Sequence, residues 1–373
     1  MSVRKIAFFL PSLSGGGAER IIVNLANHMA RIDCEVDLIL GVNQCEEAYI
    51  EDVDYRVNII RLNSRSTFLS LFKLSEKIKE SNYITIMSSL THSNIVLILS
   101  GILSKVQTKI IIREANTPSK ESEKSLKLKL INFIAKFVYK LSDVVVSVSD
   151  GVHNDMVNFY QLPREKCLRI YNPINLNKIY CETKKSKDHK WFGKYQLILG
   201  VGRLSKQKDF GTLIKAYSLL SDDLKKNTKV IIVGKGPEYI KLRELALSLN
   251  VDDSIDFYGH TNSVYQLMHS SDIFVLPSLY EGLPGVLIEA LACGCNIIAS
   301  DNVPGSREVL NNGKFGSFFK TQDPNSLRVV LEEKLCNKDY FSGPDPDLSD
   351  YLQHNFGDKN LTKYERLMLD ESK

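Results

Sequence analysis

At 373 residues and 42.2 kDa the chain is about twice a typical domain, so two domains are expected. Hydrophobic residues make up 43% and charged residues 25%, a globular mix that excludes a mostly disordered chain. The net charge of +4 is too mild to imply nucleic acid, though it leaves room for a local basic face.

Arg4 and Lys5, then Ile6 to Leu10, superficially resemble a signal peptide. The apolar core is short, Pro11 ends it and no A-x-A site follows, so a first buried strand is expected. The longest apolar run, Ile95 to Leu103, falls far short of the ~20 residues of a membrane span. Seven cysteines, odd in number and irregularly spaced, suit a reducing cytoplasm; Cys293-Gly294-Cys295 lacks the second pair a zinc site needs.

Short apolar runs then alternate with amphipathic stretches, the pattern of parallel βαβ units. Strands are expected at Ile6–Leu10, Val36–Leu40, Asn58–Leu62, Ile84–Met87, Lys109–Ile112 and Val144–Val148. A second series runs Leu197–Val201, Val230–Val233, Ile255–Phe257, Ile273–Leu276 and Asn296–Ala299. Runs such as Ile110-Ile111-Ile112 lack polar alternation, as strands covered on both faces do. Two doubly wound α/β lobes follow, residues 1–175 and 176–350, joined near the polar stretch 172–194. A helical tail over 351–373 offers Leu352, Phe356, Leu361, Tyr364 and Leu367 for packing.

Gly15-Gly16-Gly17-Ala18-Glu19-Arg20 follows the first strand and precedes a helical pattern. It reads as an anion cradle or as a tight β-to-α turn. Gly234-Lys235-Gly236-Pro237 reads better as a turn, and neither is a dinucleotide or Walker A loop. Gly202-Arg203 through Lys208-Asp209 sits after the first strand of the second lobe, where cations suit a diphosphate; solvated loop charge is the plainer alternative. Pro277 to Ala292 places Glu281 before a helix, with Pro284 as its first residue, and Glu289 inside it among aliphatic neighbours. A carboxylate can accept hydrogen bonds from adjacent sugar or ribose hydroxyls, and a dipole role explains Glu281 but not Glu289.

Together these motifs resemble family 4 retaining glycosyltransferases, whose E-x7-E motif matches Glu281 and Glu289, over nearly the whole chain. The resemblance implies a GT-B fold: two Rossmann-like lobes with a cleft between them for the sugar-nucleotide. It also implies that Glu281 contacts the transferred sugar, Glu289 the ribose, and Arg203 and Lys208 the diphosphate. Backbone near Gly16, Gly17, Gly282, Leu283 and Pro284 would assist, and the base would lie near His260, Thr261 and Asn262. Relatives often carry a His after the strand Lys109–Ile112; here Arg113, Glu114, Ala115 and Asn116 stand there. His92 is the alternative, with Arg113 and Glu114 beside it as catalytic candidates, although a structural or solvated His92 is the plainer reading.

No metal is expected: Asp52-Val53-Asp54 and Asp345-Pro346-Asp347 do not follow strand ends of the expected sheets. Ser119 to Leu141 reads as a basic amphipathic helix, with an apolar stripe that packs on the sheet or lies on anionic lipid. The resemblance then implies transfer from a UDP-sugar, an N-acetylhexosamine or a hexose, to a lipid-linked glycan. Such steps build capsule, O-antigen or lipopolysaccharide at the cytoplasmic face of the inner membrane. A nucleotide-sugar epimerase and a non-catalytic sugar-nucleotide-binding subunit are the rival readings.

Overall fold

The computed structural model describes residues 4–43, 47–122, 125–185, 189–261, 263–337 and 346–369. Two compact units make up the chain: residues 1–173 with 358–373, and residues 174–357. The first holds a seven-stranded sheet of β1 (Lys5–Leu10), β2 (Glu35–Val42), β3 (Val57–Ser64), β4 (Thr85–Ser89), β5 (Lys109–Glu114), β6 (Val144–Ser147) and β7 (Cys167–Arg169). Its order is β3-β2-β1-β4-β5-β6-β7. The second holds β8 (Gln196–Val201), β9 (Thr228–Val233), β10 (Ile255–Gly259), β11 (Ile273–Leu276), β12 (Asn296–Ser300) and β13 (Ser317–Phe319), ordered β10-β9-β8-β11-β12-β13. The edge strands β7 and β13, three residues each, were not expected from the sequence.

Every strand pairing is parallel, so all strand C-termini of a unit share one edge of its sheet. The order reverses beside β1 and β4 in the first unit, and beside β8 and β11 in the second. Helices diverge to opposite faces there and leave a crevice at the strand ends. The loops carrying Arg203, Lys208 and Glu281 follow β8 and β11; the glycine loop and His92 follow β1 and β4.

The C-terminal tail divides between the units. Helix Pro346–Phe356 belongs to the second, with Leu352 and Phe356 buried. Helix Lys359–Leu369 belongs to the first, and buries Asn360, Tyr364 and Met368 at helical spacing. Thr85 Oγ1 donates to the Met368 carbonyl at 2.7 Å and Lys109 Nζ to that of Leu367 at 3.1 Å. Tyr364 is 1% exposed, and Arg113 Nε donates to its hydroxyl at 3.3 Å. Tyr364→Ala should therefore cost about 3–5 kcal/mol in denaturant unfolding. A loss below about 1 kcal/mol would mean this helix adds little to the first unit.

Candidate functional site

In the second unit, backbone contacts bind the loops after β8 and β9 together. Gly202 N donates to the Val233 carbonyl at 3.0 Å and Leu204 N to that of Lys235 at 2.9 Å. A Cβ on Gly234, whose φ is +145°, would lie 1.9 Å from the Gly202 carbonyl oxygen; one on Gly236 would lie 2.2 Å from that of Leu204. Gly234 and Gly236 serve this close approach, which matches the tight-turn reading.

The same loop is stitched to the one after β11. Leu279 N donates to the Gln207 carbonyl at 2.8 Å, and Gln207 Nε2 to that of Tyr280 at 2.9 Å. The next residue of each loop then meets the other: Lys208 Nζ lies 2.5 Å from Glu281 Oε1. Both are mostly buried, so their attraction is screened less than that of a surface pair. The sequence suggested separate roles for these two residues; the structure pairs them. Arg203 is exposed, and no ion pair to it is found among the described residues.

Beyond Glu281, Gly282, Leu283 and Pro284 are buried, and a Cβ on Gly305 would meet the Gly282 carbonyl oxygen at 2.2 Å. Pro284 is the residue before the helix rather than its first, since the helix runs Gly285–Ala292. Glu289 lies one turn inside and is only 4% exposed. Its Oε1 accepts from the Tyr265 hydroxyl at 3.3 Å. Tyr265, on helix Val264–His269, was missed by sequence reasoning because nothing local distinguishes it from a packing aromatic. His260 is exposed, Thr261 Oγ1 accepts from Ser263 N at 3.1 Å, and Asn262 lies outside the described residues.

The first unit corrects several expectations. Gly15 and Gly16 give their amides to Glu19 Oε2, at 2.8 and 2.9 Å, and Ser14 Oγ donates to Glu19 Oε1. The anion in the glycine loop is the chain's own carboxylate, a capping arrangement at the start of helix Gly17–Arg31. The Gly16 amide is therefore occupied, and Gly17 is the first helical residue.

Arg113 is not a catalytic group here: it is fully buried and donates to Ser89 Oγ at 2.9 Å, to Tyr364 and to Asn172. Glu114 points to the opposite face and is also fully buried. It accepts from the Tyr139 hydroxyl at 2.7 Å, from Thr91 Oγ1 at 3.2 Å, and from the Ala115 amide. Burial pushes its carboxyl up to about 7, with the Tyr139 hydrogen bond opposing. These contacts tie Glu114 to the loop after β5, where it accepts from the Asn116 amide as well as that of Ala115. His92, half-buried beside Thr91 in helix Thr91–Ser104, is held below the usual histidine range by burial and then by Lys127.

The segment 119–141 is broken into helix Pro118–Ser122, helix Leu126–Val138 and a short turn Tyr139–Leu141. Lys124 lies outside the described residues. The stripe does not pack on the sheet: Leu126, Leu130, Phe133, Phe137 and Leu141 are exposed, Leu126 by 83%. Buried in their place are Asn132 and Ala135. Asn132 Nδ2 donates to the Pro118 carbonyl and Ser122 Oγ, and its Oδ1 accepts from Tyr160.

Among the described residues no three His, Cys, Asp or Glu side chains gather as a metal site. Asp54 pairs with Arg31 and Arg56 and Asp347 with Lys314, while Asp345 lies outside the described residues. No helix among them is long and apolar enough to cross a membrane.

Residues 15–178 match the family model described as Glycosyltransferase Family 4, and residues 182–340 the one described as Glycosyl transferases group 1. The chain is 30% identical over 350 residues to a Campylobacter jejuni protein, covering 91% of this chain and 93% of that one. That relative is N-acetylgalactosamine-N,N'-diacetylbacillosaminyl-diphospho-undecaprenol 4-alpha-N-acetylgalactosaminyltransferase. The present chain is also 25% identical over 352 residues to the amylovoran biosynthesis glycosyltransferase AmsD of Erwinia amylovora, covering 93% and 95% of the two chains. Anabaena Alr3699/HepE in complex with UDP shares the fold with a TM-score of 0.82 at 17% identity, over 99% of this chain and 100% of that one. Sucrose-phosphate synthase from Thermosynechococcus elongatus does so at 0.80 and 18%, over 98% of each chain.

The Glu114 carboxyl makes stability depend on pH. Unfolded, it loses its proton near the ordinary glutamate value of 4.5; folded, it keeps it until about 7. The folded state binds the extra proton between those values, so stability falls as pH rises through this window. Glu114→Gln should flatten that slope in unfolding measured from pH 5 to 8. An unchanged slope would assign the titration to another group.

Proposed function

The chain belongs to the family 4 glycosyltransferases, and from that premise we propose that it transfers a sugar from a UDP-linked donor to a lipid-linked glycan with retention. Its membership makes it a transferase, and the epimerase and binding-subunit readings fall away. The observation that carries the proposal is the joined pair of loops after β8 and β11, which brings Lys208, Glu281 and Arg203 to the switch point. As the bond from the anomeric carbon to the diphosphate breaks, negative charge grows on the departing phosphate. Arg203 and Lys208 stabilise it, and Lys208 also holds Glu281 for the sugar hydroxyls. Glu289 takes the ribose hydroxyls, and the loop at His260 and Thr261 lies towards the base. These cations fill the role of a metal, so transfer continues in EDTA.

The acceptor reading draws on the two relatives, one named for a diphospho-undecaprenol substrate and one for amylovoran biosynthesis. An N-acetylhexosamine or a hexose on UDP, and a capsule, O-antigen or lipopolysaccharide intermediate as acceptor, fit that reading. The site is the cytoplasmic face of the inner membrane, with helix Leu126–Val138 as the docking element. Its outward apolar stripe is accompanied by Lys127, Lys129, Lys136 and Lys140, and the helix carries no acidic residue. That composition suits an anionic lipid surface.

A donor panel of UDP-N-acetylhexosamines, UDP-hexoses and GDP-mannose, with polyprenyl-diphosphate-linked glycans as acceptors and EDTA present, tests the assignment. Arg203→Ala should lower kcat on the order of 10²-fold. Glu289→Gln should weaken UDP in calorimetry, each lost charge-assisted contact being worth roughly 1.5–3 kcal/mol. Glu281→Gln should leave UDP binding nearly intact while lowering transfer and blurring the choice between epimeric donors. Equal loss of UDP affinity in both variants would end this division of roles. For the membrane reading, replacing Phe133 and Phe137 by Ser should cut binding to anionic vesicles roughly tenfold. Undiminished sedimentation with vesicles would exclude this helix as the docking element.

A further inference from the structure

Glu289 sits among aliphatic neighbours in a helix, nearly buried, where its side chain must be aimed before it can serve a ligand. One of its oxygens, Oε1, is held by the Tyr265 hydroxyl at 3.3 Å. Tyr265 is half-buried on helix Val264–His269, outside every motif that the sequence makes conspicuous. The same helix is tied down at its next residue, where Gln266 Nε2 donates to Glu182 Oε2 at 3.0 Å. Glu182 lies on helix Leu176–Thr183, and Lys185 in turn pairs with Glu182. A continuous line of contacts within the second unit therefore runs from helix Leu176–Thr183 through Gln266 and Tyr265 to Glu289.

We propose that Tyr265 is a positioning residue for nucleotide binding, whose hydroxyl presets the Glu289 carboxylate for the ribose diol. This rests on the reading of Glu289 as the ribose ligand. A tyrosine suits the task because its ring is anchored by packing while its hydroxyl offers a single directional donor. With one lobe of the carboxylate already fixed, less side-chain freedom is lost when the ribose arrives. The effect belongs to affinity for the nucleoside part. It does not touch the diphosphate, and it acts only where Glu289 and the diol are both present.

The test is calorimetric binding of UDP and of 2′,3′-dideoxy-UDP to the full chain and to Tyr265→Phe, Glu289→Gln and the double variant. If GDP binds more tightly than UDP in the donor panel, the guanosine pair replaces the uridine pair. A neutral hydrogen bond of this kind corresponds to a loss of about two- to tenfold in UDP affinity for Tyr265→Phe. The dideoxy nucleotide should bind the native chain and Tyr265→Phe alike, and the double variant should bind UDP no more weakly than Glu289→Gln alone. A general packing defect would instead weaken both nucleotides and would add to the Glu289→Gln loss; either result overturns the proposal. Unchanged UDP affinity in Tyr265→Phe beside a clear loss in Glu289→Gln overturns it while leaving the ribose reading in place. Full UDP affinity in Glu289→Gln would remove the ribose reading and this inference with it.

Discussion

Parallel pairing is the constraint on which the second unit's chemistry depends. Because β8 to β13 all run the same way, six loops emerge at one edge of the sheet. Reversal of the strand order beside β8 and β11 sends the neighbouring helices to opposite faces, so the loops between them are not covered. Arg203 and Glu281, 78 positions apart in sequence, reach the same region only through this geometry.

Direction alone would leave those loops free to move, and backbone contacts remove that freedom. Glycines at 234, 236 and 305 allow carbonyl oxygens to approach where any side chain would collide. Gln207 then bonds to the loop after β11 through both its main chain and its side chain. Lys208 and Glu281 are therefore neighbours before a ligand enters, and each limits the desolvation cost of the other. The arrangement holds a cation and a carboxylate together in a mostly buried spot between the two loops.

Much of the architecture was legible because buried parallel strands read as unbroken apolar runs. Eleven strands stood out in this way, whereas β7 and β13 are three-residue edge strands with too little sequence to register. The position of the candidate residues was legible as motifs at strand ends, since Arg203, Lys208, Glu281 and Glu289 follow β8 and β11. Pairing between two of them was not legible, because it depends on the meeting of separate loops. Arg113 shows the limit most plainly. A charged residue at a strand end looks available, but its partners Ser89, Asn172 and Tyr364 come from distant parts of the chain. The glycine loop misled in a related way: the anion it holds is Glu19, present in the very motif that suggested a cradle.

Helix Leu126–Val138 inverts the usual rule for an amphipathic helix, and its inward face explains why. Burying the Phe133 and Phe137 face would be favourable by hydrophobic transfer alone. Asn132, however, satisfies the Pro118 carbonyl, the Ser122 hydroxyl and the Tyr160 hydroxyl, all of them buried. Turning the helix over would strand several buried polar groups at once, and each would carry a desolvation penalty comparable to the gain from one buried apolar side chain. The local polar network thus decides which face looks inward, and the apolar stripe is left outside as a consequence. An exposed stripe of this size, rimmed by lysines, is a standing cost in water unless something covers it. On the proposed reading, an anionic lipid surface would cover it while meeting the lysines with opposite charge.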